Sequence, residues 1–243
     1  RCAAPIIRMV AIVTAMAEQS LSDASPRRGL LRLLAWLSPA FPVGGFAYSG
    51  GLESAIVDGH IANRDDLSRW LRLLLADGGL RNDAILLVEG HRHSADEAAL
   101  CAVLSLASAL AGSAERHAEI VRQGEAFVTA ARAWPHPVLE TLTGSAIYSV
   151  AVGAVAAAHG VSVGDAIAAF LQAQVSQLIS VAIRLSVIGQ TQGVALIAEI
   201  EADILGSIDA IERMGGDDLG SASIIAETLS MRHETQYSRL FQS

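Results

Sequence analysis

Apolar residues along this chain recur mostly at helical spacing. From Asn63 onward they fall at Leu67, Trp70, Leu71, Leu74 and Leu75, which is one face of a helix. Asn63 stands where an N-cap is wanted, Asp65 and Asp66 suit the positive end, and Gly78-Gly79 stops the run. The same reading places helices at Leu30–Leu37, ended by Pro39, and at Leu52–Val57. It continues with helices from a cap at Asn82 or Asp83 to about His91, over Ala95–Ala111, and from a Ser113 cap to about Trp134. Thr141 to Gly160 carries no formal charge and is mostly Ala, Gly, Ser and Val. Few of its side chains are large enough to favour lipid, so it predicts a buried central helix whose small residues admit close neighbours. Ser162 caps a helix striped with Ile167, Phe170, Leu171, Val175, Leu178 and Ile179. Gln190–Arg213 and Ser223 to about Ser230 complete the set. No stretch alternates with period two. The expected fold is all-α, a single-domain bundle of about eight to ten helices with a glycine-rich turn after the first. It spans residues 29–230, between a loose extension over 1–28 and a tail over 231–243.

The turn, Leu37 to Glu53, breaks the helical pattern. Pro39 and Pro42 fix φ and remove donors, while Gly44-Gly45 and Gly50-Gly51 admit backbone shapes closed to other residues. Phe46, Tyr48 and Ser49 lie between the glycine pairs. Two readings remain open: a connection whose aromatics plug the core, or a recognition turn.

Composition narrows the function. Hydrophobic residues are 52% of the chain, enough for a substantial core, and only 17% are charged. The formal net charge is −8, with no basic face, which argues against a nucleic-acid partner. All 17 cationic side chains are arginines. Without lysine there is no P-loop and no Schiff-base chemistry, so the chain has no Walker-type nucleotide site of its own. Cys2 and Cys101 form no framework and suit a reducing compartment. Ile6–Ala17 faintly resembles a signal h-region, but Arg8 interrupts it.

Candidate chemistry is sparse. Ala47-Tyr48-Ser49-Gly50-Gly51 resembles a nucleophile elbow, but an elbow needs a strand before it. A small helical serine hydrolase using Ser49 is therefore the alternative reading. His91 and His93 diverge on a helix, and the other histidines are scattered, so neither a metal site nor a cofactor is expected. Glu115, Arg116, Glu119 and Arg122 read as an ion-pair face. The end of the chain is unusual: Arg232, His233, Glu234, Tyr237, Arg239, Leu240 and Phe241 crowd the last dozen residues. Tyr and Arg anchor interfaces, so this tail either docks on its own domain or orders against a partner.

The turn Pro42-Val43-Gly44-Gly45-Phe46-Ala47-Tyr48-Ser49-Gly50-Gly51-Leu52-Glu53 and the ending Arg232-His233-Glu234-Thr235-Gln236-Tyr237-Ser238-Arg239-Leu240-Phe241 resemble the signatures of the UreF family of urease accessory proteins. The resemblance runs from about Leu30 to Ser243, with Ala47, Gly50 and Gln242 as departures. It implies a dimeric, non-enzymatic, cytoplasmic adaptor, with no nucleic acid and no membrane among its partners. Such a protein binds the UreD/UreH scaffold, recruits and modulates the UreG GTPase, and takes part in nickel insertion into apo-urease. It also implies partner-binding roles for the tail residues and for Tyr48, Ser49 and Glu53.

Overall fold

The computed structural model describes residues 27–243. The expected extension, with its Ile6–Ala17 run, lies almost wholly outside the described residues. The first helix, α1, covers 27–36, beginning earlier than its apolar run suggests. A 3₁₀ turn over Gly45–Ala47 leads to ten further helices. These are α2 (Leu52–Val57), α3 (Arg64–Asp77), α4 (Gly79–Arg92), α5 (Glu97–Ala109) and α6 (Ala114–Ala131). Then come α7 (Val138–Leu142), α8 (Tyr148–Ala158), α9 (Val163–Arg184), α10 (Gln190–Arg213) and α11 (Ile224–His233). No strand occurs among the described residues, and the expected all-α bundle stands.

Local signals set most boundaries. Asn63 Oδ1 accepts from the Asp65 and Asp66 amides at 2.9 and 3.1 Å. The Ser113 and Ser162 hydroxyls accept from the Arg116 and Asp165 amides at 3.1 and 3.2 Å. One boundary differs from expectation. Gly78 ends α3 and also opens α4, so Asn82 and Asp83 lie inside a helix rather than capping it. The charge-free stretch also divides. Gly144, at φ +83°, breaks it, and only Tyr148 onward continues as the central helix.

That central helix is α8, where Val150, Ala151, Val152, Ala154, Val155 and Ala156 are fully buried. It packs closely on α4. A Cβ on Gly153 would fall 2.0 Å from the Leu87 carbonyl oxygen, and one on Gly90 would fall 2.4 Å from that of Val150. Only hydrogen fits at either position, so the small residues of this segment set the spacing of the core. Outside this pair, α9 packs on α10, and α3 on both α4 and α10. Among the described residues α9 alone is long and apolar enough to cross a membrane, and half of its most apolar window is buried within the bundle. Trp36 and Phe41 meet Phe127 at 6.4 and 5.7 Å between ring centroids, fastening α1 and the start of the glycine turn to α6.

Candidate functional site

The glycine turn and the end of the chain meet. Gly50 and Gly51 adopt φ of +59° and +80°, bending the backbone so that α2 begins at Leu52, directly after the glycine pair. A Cβ on Gly51 would press against the Ser230 backbone at 3.2 Å, so this glycine also lets α11 approach. Gln177 of α9 holds the turn from below, donating to the carbonyls of Gly45 at 2.6 Å and Tyr48 at 3.3 Å.

Onto this scaffold the C-terminal segment is laid by backbone pairing. The Gln242 amide donates to the Ala47 carbonyl, and the Ser49 amide to the Ser243 carbonyl, each at 2.8 Å. The Ser49 hydroxyl donates to the same Ser243 carbonyl. Phe241 is buried, with the Arg184 guanidinium 4.3 Å from its ring centroid. Arg184 also donates to the Phe46 carbonyl at 2.7 Å, and burial lowers its pKa below the ordinary arginine value.

Glu53 is the hub. Its buried carboxylate accepts from the Leu240 amide at 2.8 Å and the Phe241 amide at 3.1 Å, and lies 3.1 Å from His233 Nε2. The other ring nitrogen of His233, Nδ1, is 2.7 Å from Glu115 Oε2. Glu115 Oε1 in turn accepts from Arg239. Beside this chain, Ser243 Oγ donates to Glu119 Oε2 at 3.0 Å. Arg116 bonds Asp83 and lies 3.0 Å from Glu119. Burial works against the Arg116 charge, but the two carboxylates outweigh it and raise its pKa above the ordinary range. The segment is therefore bound by a polar network with one aromatic plug, on its own domain.

The sequence-derived site residues divide into two sets. Tyr48, Ser49, Glu53, His233 and Phe241 are buried and spend their groups inside the chain. Arg232, Glu234, Tyr237, Arg239 and Leu240 lie on the exposed side of the segment. Arg232 pairs with Asp58 at 2.7 Å, and Glu234 accepts from the Ala114 amide at 2.8 Å. Tyr237 is fully exposed and Leu240 is 64% exposed, with the apolar Ile224, Ile225 and Met231 of α11 also exposed. Sequence reasoning missed Glu115, taken for a surface ion-pair residue, and Arg184, whose partners lie far away in the chain. Arg184 is itself exposed and reaches back across the turn to Phe46 and Phe241, so no inward-facing position marked it.

The Ser49 hydroxyl is fully buried, and its bonds are to backbone groups, the Ser243 carbonyl and the Glu53 amide. The hydrolase reading gains nothing from this geometry. Among the described residues no group of three His, Cys, Asp or Glu side chains is arranged to hold a metal ion. On the opposite side of the turn, Phe46 is 74% exposed. It borders an apolar groove of about 1080 Å³ between α1 and α9, whose rim includes the exposed Leu30 and Leu34.

Comparison with known proteins bears on this arrangement. The model of the family UreF matches residues 61–201. A urease accessory protein UreF from Agrobacterium fabrum is 53% identical over 225 residues, covering 92% of this chain and 100% of the relative. Proteins of the same name from Rhizobium etli and Mesorhizobium japonicum are 50% and 49% identical, with the same coverage.

Proposed function

Because the chain belongs to the UreF family of urease accessory proteins, we propose that it is a non-enzymatic adaptor in urease maturation. In this reading it binds a UreD/UreH-type scaffold in the cytoplasm and recruits and modulates a UreG-type GTPase. The assembly then acts on apo-urease, with nickel as cargo. The observation that carries the reading is the double-sided C-terminal segment. Its inner side is pinned by Glu53, while the Tyr237 and Leu240 side chains are held outward, away from the other described residues. Ordered apolar side chains on a surface lower the entropy cost of association, which suits an anchor for a partner. We assign the scaffold-binding surface to Tyr237, Leu240 and the exposed apolar side of α11. Tyr48, Ser49, Glu53, His233 and Phe241 serve it by holding the segment in place. The groove bordered by Phe46, Leu30 and Leu34 is the surface we assign to a homodimer, since an apolar face of this kind needs cover.

The test is co-purification with a UreD/UreH-type protein, comparing the intact chain with a Tyr237→Ala, Leu240→Ala double variant. Both side chains point to solvent, so the variant keeps its fold. Undiminished capture of the scaffold by a folded double variant refutes the assignment.

A further inference from the structure

His233 closes α11, and its ring is fully buried. Both ring nitrogens face carboxylate oxygens, Glu115 at 2.7 Å and Glu53 at 3.1 Å. An ionised carboxylate only accepts hydrogen bonds. A neutral imidazole offers one N–H and one bare nitrogen, whereas imidazolium offers two N–H groups. Against two ionised carboxylates, only the charged ring makes both bonds.

The surrounding charges are few and already committed. Glu53 faces the ring from α2 and Glu115 from α6, with Arg239 of the C-terminal segment behind Glu115. Arg116, also on α6, is turned to Asp83 and Glu119. Arg232 is taken by Asp58, and Glu234 by the Ala114 amide. Two carboxylates are thus balanced by Arg239 and a charged His233. Loss of the ring proton leaves an excess negative charge in a buried site and sets a nitrogen lone pair against a carboxylate oxygen.

We propose that His233 is a protonation-dependent latch for the C-terminal segment. With the ring charged, Glu53 is held in place, and with it the Leu240 and Phe241 amides that it binds. When the ring gives one proton to solvent, a carboxylate loses its donor and must find water, and the segment lifts away as Glu53 is hydrated. The latch concerns the chain's own segment and stands independently of the partner assignments above.

The test uses the full chain labelled with ¹⁵N. Long-range nitrogen–proton correlation reads the protonation of each His233 nitrogen. Amide exchange at Leu240 and Phe241, corrected for its intrinsic pH dependence, reads docking from mildly acidic to mildly alkaline conditions. Both ring nitrogens are expected to carry protons wherever the amides are protected. The two signatures should vanish together as pH rises, with protection falling about tenfold or more. In His233→Gln the amides should be less protected throughout and the pH slope should be gone. Three results overturn the latch: a bare ring nitrogen while the amides stay protected, wild-type protection that is flat with pH, or a slope that survives in His233→Gln. Should that variant not fold, the wild-type ring spectrum decides alone.

Discussion

Replacing Glu53 with alanine removes the common acceptor of two backbone amides and an imidazole, all buried or half-buried. Each neutral donor left unpaired costs about 1 kcal/mol or more, and breaking a buried charged pair costs about 3–5 kcal/mol. The protein limits that loss by releasing the segment to water, so the variant should pay mainly in docking rather than in the stability of the bundle. Taking about 3 kcal/mol as the loss, the open population rises roughly 150-fold. Trypsin is a suitable assay, because Arg239 lies beyond α11 and Arg232 in its last turn, both exposed, while the other described arginines lie mostly in or beside packed helices. Where opening is fast relative to cutting, the cleavage rate follows the open population. Glu53→Ala should therefore be cut after Arg232 and Arg239 roughly two orders of magnitude faster than wild type, with the bundle left intact. Cleavage at the wild-type rate in a folded Glu53→Ala protein would refute the view that this carboxylate holds the segment.

Phe241→Ala should weaken docking by about 3 kcal/mol, seen in the same proteolysis assay, since the ring is buried and stacked under Arg184. Tyr237→Ala should leave the urea midpoint within about 0.5 kcal/mol of wild type, its side chain being fully exposed, yet weaken scaffold binding by about 1–3 kcal/mol in calorimetry. Gly153→Ala should destabilise the whole bundle by about 3 kcal/mol in urea titration, because its new Cβ would sit 2.0 Å from the Leu87 oxygen. Leu34→Asp, at the rim of the apolar groove, should shift sedimentation from dimer toward monomer at unchanged helicity; an unaltered profile would remove the groove as the dimer surface.

What could be read from the sequence was local. The Leu67-to-Leu75 stripe, the caps at Asn63, Ser113 and Ser162, and the small residues of α8 all act over one or two helical turns, and each appears where its chemistry predicts. Gly78 misled because one residue both ends α3 and starts α4, leaving no room for Asn82 or Asp83 to cap. Asp83 instead meets Arg116, a partner 33 positions away. The site was legible as two unusual stretches but not as one object. Pairings such as Glu53 with Phe241, 188 positions apart, leave no trace in spacing. Nor did the tail reveal its two sides: alternation along His233, Tyr237, Leu240 and Phe241 acquires meaning only once Glu53 fixes which backbone amides turn inward.

The clamp has a consequence for synthesis. A ribosome makes Glu53 and Ser49 long before it makes the residues that cover them, 180 positions later for His233 and 194 for Ser243. Through that interval the nascent helices can pack while the turn stands open. A mostly polar cradle tolerates such a wait, because its carboxylates and hydroxyl are content in water, and only the slot for one phenyl ring is apolar. Closing it has to wait until Phe241 and Ser243 have been made, well after the helices they rest on.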